Sequence, residues 1–430
     1  MAAGPAAGSA AGVDALVDWL LGQGLLATPV GHVLAETASR LRAAGVPVTR
    51  GHISGTLLDP QFEAMGYTWT DGAGVESSVF THQDARLGEA WQLSPLRWVI
   101  EERAREVAAR NRPAETAREM LYSRRFRIAE GEGVQRFPMI RELADGGATD
   151  YLVYVLPYFF EGGVAETLDN GVVGSWTTHV PGGFTEADLA ALRTVTPAMA
   201  VAARSHVFYM AGLSLTTTYL GQEAGRRVLK GSIRRGETLT IGTALLLGDL
   251  RGFTRLSETY DRNRLVQSLD GYLSCMADPV DAHGGEVLKF LGDGMLASFA
   301  LSADDRTARC RDALAAAEAV LQRTAQFNQN RSDAGEPTMP VDLALHVGEV
   351  FYGNVGSERR LDFTVIGPAV NECSRIEAMC DALGTPLLAS ADFVRAGALA
   401  DRFVSLGSHT LRGVDEPREL FTLAGLATAR

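Results

Sequence analysis

Residues 245–254 read LLLGDLRGFT. An apolar run of strand length stops at Asp249, and a glycine, a phenylalanine and a threonine follow at once. A continuous apolar run of this length suits a strand covered on both faces. A carboxylate at its end therefore sits where the chain leaves the core. Such a residue can cap the next helix. It can also hold a hard cation, which binds through carboxylate oxygens. Gly252, Phe253 and Thr254 open the following helix, and the free N–H groups of a first turn suit a phosphate.

The second half continues as alternating strands and helices. TRLSETYDRNRLVQSLDGYLSCMADPVDAHG and TARCRDALAAAEAVLQRTAQFNQ carry helical patterns. GEVLKFLGDGMLASF reads as a hairpin with GDG at its turn. VDLALHVGEVFYGNVG and LDFTVIG read as strands, AVNECSRIEAMC as a helix, and FVSLGSHTLRG and ELFTLAG as short closing strands.

The first half has a different texture. Residues 1–12 form an Ala/Gly-rich tail expected to be disordered. VDALVDWLLGQGLL and PVGHVLAETASRLRAAG predict two amphipathic helices. VTRGHISGTLL, MGYTWTD, TDYLVYVLPYFF and GVVGSWTTHV predict strands, with a charged helix over 96–120 between the pairs. PGGFTEADLAALRTVTPAMAVAARS begins with a helix start at Thr185–Glu186–Ala187–Asp188. Over about residues 30–205 this order of elements resembles a GAF- or PAS-like sensory domain. An unrelated α+β domain fits the same order. Residues 206–238 predict a helical connector with a basic end, which either pairs in a dimer or packs on its own domain.

Composition narrows the class. The chain has 430 residues, 46% of them apolar, and a net charge of -12. That supports ordinary packed cores, and without a basic stripe it speaks against nucleic acid as a partner. Four cysteines, Cys275, Cys310, Cys373 and Cys380, lie in the second half without metal-type spacing and read as reduced thiols. Their absence from the first half excludes a chromophore joined there through a cysteine thioether. MAAGPAAGSAAG has no signal-peptide character, and YLVYVLPYFF is far too short to span a membrane. A cytoplasmic protein without membrane insertion is the expectation.

Asp249 has a candidate partner in Asp293, at the hairpin turn. Two carboxylates on adjacent strand ends can bind two Mg²⁺ that also hold substrate phosphates. Asn371 and Arg375 lie four apart on one helix face, suited to a ribose oxygen and to charge growing on a phosphoryl oxygen. Taken alone, such a pair is more often a solvated face. Lys289 can donate to a base ring nitrogen, or be a solvated strand lysine. Thr364 can bond an exocyclic amine, or simply suit a strand. Arg359, Arg360 and Arg412 are cations near strand ends. His346 and His283 read as structural. Tyr67, Trp69, Tyr158 and Phe159 can line a pocket, though such residues are more often core.

Together, GDLRGFTRLSE, GGEVLKFLGDGMLASF, HVGEVFYGNVGSERRLDFTVIG, VNECSRIE and LRGVDEP resemble, in order, the catalytic domain of class III nucleotidyl cyclases, the adenylate and guanylate cyclase family. The match runs from about Leu239 to Leu426. It implies a ferredoxin-like α/β catalytic domain over 239–430, after a sensor over 13–205 and a connector over 206–238. Carried over position by position, Asp249, Asp293 and the Leu250 carbonyl would bind two Mg²⁺ or Mn²⁺. Lys289 and Thr364 would select adenine. Asn371 and Arg375 would position ribose and stabilise the transition state. Arg359, or its neighbour Arg360, and Arg412 would hold the triphosphate, with Arg412 standing where the family has a lysine. Phe253 and Thr254 would offer backbone N–H groups to phosphate.

The implied protein is an adenylate cyclase making 3′,5′-cyclic AMP and pyrophosphate from ATP at the interface of a homodimer. An unidentified sensory ligand or partner would act through the first half. The rival readings are a guanylate cyclase, a diguanylate cyclase of the GGDEF type, and a catalytically silent nucleotide-binding protein.

Overall fold

The computed structural model describes residues 10–57, 59–83, 88–108, 117–157, 171–234, 236–358, 361–414 and 416–427. It is a mixed α/β protein that divides into two compact units between Leu215 and Thr216.

The first unit opens with α1 (Ala10–Leu26) and α2 (Val30–Ala43). Residues 10–12, expected in the disordered tail, are thus helical, whereas 1–9 lie outside the described residues. Strands β1 (Arg50–Thr56), β2 (Phe62–Thr70) and β3 (Gly74–Thr81) follow, then α3 (Pro95–Ala108), β4 (Tyr122–Phe126), α4 (Pro138–Asp145), β5 (Asp150–Pro157) and β6 (Gly171–Thr178). The six strands form one sheet in the order β3-β2-β1-β6-β5-β4. Every neighbouring pair is antiparallel. This unit is α+β. β3 and β4 escaped the sequence reading because their polar sequences, GVESSVFT and YSRRF, lack a clean alternation.

Helix α5 (Glu186–Leu220) starts where the sequence predicts it to. Thr185 N and Oγ1 donate to Asp188 Oδ2 at 2.8 and 2.7 Å, and Asp188 N donates back to Thr185 Oγ1 at 3.2 Å. This reciprocal box satisfies donors that a bare helix end would leave open. The helix runs unbroken past residue 205 to Leu220, and its first half packs on the core through Ala191, Leu192, Val195, Met199 and Ala203 at apolar helical spacing.

The second unit begins with α6 (Gln222–Leu229) and β7 (Thr238–Leu250). Then come α7 (Phe253–Thr259), α8 (Arg262–Ala282), β8 (Glu286–Leu291), β9 (Gly294–Ala300), α9 (Arg306–Asp333) and β10 (Val341–Gly356). The closing part is β11 (Leu361–Ile366), α10 (Pro368–Glu377), β12 (Leu387–Ser390), α11 (Ala391–Ala396), β13 (Phe403–His409) and β14 (Arg418–Leu423). The sheet order is β13-β14-β12-β10-β7-β9-β8, with β11 paired to β10. The strands β7, β8, β9 and β10 are the first to fourth of a βαββαβ unit. Their antiparallel order, fourth-first-third-second, is the ferredoxin-like arrangement.

β7 is buried from Thr243 to Gly248 because both faces of the sheet are covered. Leu246 and Leu250 face a core built with α8 and α9. Leu245 and Leu247 face a second core that includes α10. Asp249 emerges just beyond this double cover. The GDG hairpin forms as predicted, with Gly292 at φ +73°.

On α8, Gly271 faces α9. A Cβ there would lie 2.5 Å from Phe327 Cζ, and that ring is held edge-on against Tyr272 at 4.8 Å between centroids. In a free helix interior Gly→Ala gains about 1 kcal/mol, but overpacking against a held ring costs about 1–3 kcal/mol. We expect Gly271→Ala to lower the midpoint of thermal unfolding, measured by calorimetry. A rise would mean that the ring yields freely.

Candidate active site

The end of β7 gathers acidic side chains. Asp249 stands opposite Asp342 in the β7–β10 register. Its carboxyl is pushed up to about 6, first by burial, then by the charges of Asp293 and Asp342, against a stabilising bond from the Leu250 N–H. The two predicted metal aspartates are therefore close enough to repel each other. Gly294, next to Asp293, explains how: a Cβ there would fall 2.8 Å from Asp249 Oδ1 and from Gly248 O. Only a glycine lets the hairpin turn approach so closely.

Asp342 is buried and its charge is balanced. Arg251 donates to it through Nε at 2.9 Å and Nη2 at 2.6 Å, the fork geometry that suits a carboxylate. Glu377, at the end of α10, has no such partner among the described residues. Its carboxyl is raised to about 7, chiefly by burial, then by Asp249, Asp342 and Asp293, with Arg251 pulling the other way. Sequence reasoning passed over Asp342, Arg251 and Glu377. Glu377 sits inside the quoted VNECSRIE, but two positions turn a helix through about 200°, away from the face shared by Asn371 and Arg375.

The set fits Mg²⁺ or Mn²⁺ chemically. The donors are hard oxygens, the ionised pair repels itself and so favours a cation, and such ions take one or two carboxylates and complete their shell from substrate. Among the described residues no group of three or more potential ligands is arranged around one point. The protein would thus supply two carboxylates and leave the remaining positions to substrate and water.

Behind Asp249 the chain turns at Gly252, with φ +83°, into α7, whose N-terminus has no side-chain cap. Phe253 packs on the core and Thr254 is exposed. Leu250 is buried at 2% exposure.

The other candidate residues lie in two further places in this unit. Lys289 on β8 pairs with Asp362 on β11. Thr364 lies two residues further along β11 and so points to the same side. On α10, Asn371 is exposed, and Arg375 Nη1 donates to Gly413 O at 3.2 Å. That contact brings Arg375 to the turn carrying Arg412, itself exposed. Arg359 and Arg360 lie outside the described residues, as do Tyr158 and Phe159.

His346 is a core residue, 4% exposed, with Nδ1 2.9 Å from Ser390 Oγ. His283 closes α8 with Nδ1 2.7 Å from Pro279 O. The four cysteines are buried and unpaired. Among the described residues no helix is long and apolar enough to cross a membrane.

Residues 241–409 match the family model described as the adenylate and guanylate cyclase catalytic domain. The second unit is thus similar, over these residues, to the catalytic domains of the class III nucleotidyl cyclase family. An adenylate cyclase of Anabaena cylindrica is 36% identical over 168 residues, covering 38% of this chain and 32% of the relative. Adenylate cyclase 1 of Rhizobium meliloti is 32% identical over 184 residues, covering 42% of this chain and 27% of the relative. The chain thus spans about a third of the length of these curated relatives. Among solved structures, the adenylyl cyclase CyaB of P. aeruginosa aligns at TM-score 0.40 and 25% identity, over 45% of this chain and 97% of that one. The guanylyl cyclase Cya2 aligns at TM-score 0.39 and 29% identity, over 44% of this chain and 95% of that one.

The acidic crowding has a signed consequence. Glu377 moves from an ordinary 4.5 to about 7 on folding, so its ionisation opposes the fold. The penalty is absent below 4.5 and grows as pH rises towards 7. In protein stripped of divalent cations, Glu377→Gln should stabilise at pH 8 by about 1 kcal/mol, after discounting for solvent screening. The gain should vanish near pH 4, as followed by urea unfolding. Equal effects at both pH values would contradict the placement of this carboxyl.

Proposed function

We propose that this protein is an adenylate cyclase, converting ATP to 3′,5′-cyclic AMP and pyrophosphate. The observation that carries the reading is the close, mutually repelling pair Asp249 and Asp293, inside the region matching the cyclase catalytic domain. These two carboxylates, with the Leu250 carbonyl, would hold Mg²⁺ or Mn²⁺; the cations supply charge for the phosphoryl oxygens and acidify the ribose 3′-hydroxyl. That hydroxyl attacks the α-phosphorus, and pyrophosphate leaves.

The chain's other residues bind and orient the substrate. The first-turn N–H groups at Phe253 and Thr254 face phosphate. Lys289, steadied by Asp362, donates to the adenine ring, and Thr364 bonds its exocyclic amine. Asn371 orients the ribose. Arg375 meets charge growing on the α-phosphoryl oxygens, and a fixed guanidinium there acts mainly in the transition state. Arg412 and Arg359 bind the departing phosphates. The contacts of one chain support an acidic group around Asp249 and, apart from it, a pair formed by Lys289 and Asp362 and a contact between Arg375 and the turn carrying Arg412. A homodimer that faces the acidic group with these residues across a two-fold axis would complete two equivalent sites. The first unit is then a sensory, GAF- or PAS-like module acting on the cyclase through α5 and α6.

The test is product formation from ATP and from GTP, with Mg²⁺ or Mn²⁺. Cyclic AMP and pyrophosphate are expected, with ATP preferred. Asp293→Ala should lower kcat/KM at least about a thousandfold, the loss of several kcal/mol of charge stabilisation. Lys289→Ala should cost about 10- to 100-fold with ATP, the worth of one charge-assisted contact. Turnover of GTP alone would replace the base assignment. Turnover of neither, by the full chain or by residues 216–430, would leave a nucleotide-binding protein.

A further inference from the structure

The sheet of the first unit has two unlike faces. One carries Ile53, Trp69, Leu152, Tyr154 and Trp176 and is plain apolar core. The other carries a row of polar side chains at one end of the sheet. Arg50, the first residue of β1, stands opposite Thr177 on β6, and Thr177 stands opposite Tyr151 on β5. Ser175, one step along β6 on the same face, stands opposite His52.

Tyr151, Ser175 and Thr177 are 0% exposed. The Tyr151 hydroxyl, Ser175 Oγ, Thr177 Oγ1 and Arg50 Nη1 are all enclosed, and among the described residues none has a hydrogen-bond partner of normal geometry, although the Tyr151 hydroxyl and Ser175 lie near enough to act on each other. The Arg50 charge bears on this row, since it acts on both His52 and Tyr151. It forms no ion pair among the described residues. The neighbouring carboxylate, Asp150, is already taken by Arg125 Nη2 at 2.6 Å and by the Phe184 amide at 2.9 Å. Helix α3 covers part of this face through Leu96 and Val99, but its Glu102 bears on Tyr122, whose register partner Val155 lies four residues from Tyr151 on β5. His52 is held neutral, lowered to about 4 by burial and then by Arg50, and its Nδ1 lies 2.8 Å from Thr68 Oγ1.

An unmet buried hydroxyl costs about 1–3 kcal/mol, and Arg50, itself partly exposed, keeps its Nη1 enclosed and without a counter-charge among the described residues. Adjacent strands align several such groups here. Water can satisfy the hydroxyls, but it does not balance the charge.

We propose that Arg50, Tyr151, Ser175 and Thr177 form a binding site for a small anion, either a free inorganic ion or the carboxylate or phosphate group of a metabolite. Arg50 supplies the charge and a planar set of donors. The three hydroxyls turn their hydrogens towards the same acceptor. This site does not depend on the cyclase reading, and its test does not use turnover.

The readout comes from the sequence. All five tryptophans, Trp19, Trp69, Trp91, Trp98 and Trp176, precede residue 216, so tryptophan fluorescence reports the first unit alone. Full-length protein in low-salt HEPES is titrated with sodium phosphate, acetate and chloride. Fluorescence and the fluorescence-detected unfolding midpoint are followed. Native mass spectrometry of the protein as purified separates a carried metabolite from an inorganic ion. At least one anion should give a saturating response with a rise in midpoint, as binding to the folded state requires, or an added mass should be seen. Arg50→Met should abolish the response. Thr177→Val and Ser175→Ala should weaken it at least about tenfold, the worth of one hydrogen bond to a charged ligand. The proposal is overturned if wild type and Arg50→Met respond alike to all three anions and the native mass is that of the bare chain. If Arg50→Met does not fold, the two hydroxyl variants decide. Anion responses unchanged from wild type in both would make these groups merely structural.

Discussion

Everything proposed for the second unit depends on one electrostatic arrangement: more carboxyl groups at the end of β7 than the local cations can balance. Arg251 neutralises Asp342 with a two-bond fork. Burial and the charges of Asp293 and Asp342 raise the proton affinity of Asp249, and burial and these three aspartates raise that of Glu377. Such crowding costs stability in the bare protein, and a divalent cation would relieve it. The fold maintains the crowding through Gly294, whose missing side chain lets the hairpin turn close onto Asp249. It also does so by burying β7 on both faces, so that Asp249 cannot swing away without exposing leucines.

The rest of the unit serves that placement. The βαββαβ core sets β7 between β10 and β9, which brings Asp342 and the Asp293 turn to one end of the sheet. Helix α10 then has two tasks. One flank presents Asn371 and Arg375 outward, with Arg375 tied to the turn at Gly413. The other brings Glu377 to the acidic end of β7. Lys289 on β8 is tied to Asp362, two residues before Thr364 on β11, a pairing absent from the sequence reading.

Much of the second unit was legible in the sequence because its signals are local. A continuous apolar run marks a strand covered on both sides. GDG between such runs marks a tight turn, and Asn371 and Arg375 four apart mark one helix face. Less of the first unit was legible. Its helices and inner strands carry clear periodicity, whereas the edge strands β3 and β4 do not, since an edge need not bury alternate residues. Asp342 was missed because it looks like any polar residue at a strand start, and Glu377 because its helix was read for one flank only. Asp362 was missed because nothing in the sequence couples β8 to β11.

The sequence by itself pointed to a kind of chemistry, through two aspartates at strand ends, a helix carrying Asn and Arg, and the ordered motifs that resemble a cyclase domain. Residue type and short spacing are local properties, and they survive reading along a line. The tertiary structure alone decided which groups interact. The ionisation of Asp249 depends on its burial and then on Asp293 and Asp342, and Lys289 pairs with Asp362. On the polar face of the first sheet, the row formed by Arg50, Tyr151 and Thr177 depends on strand register. Charge and burial act through space, and only the fold sets those distances.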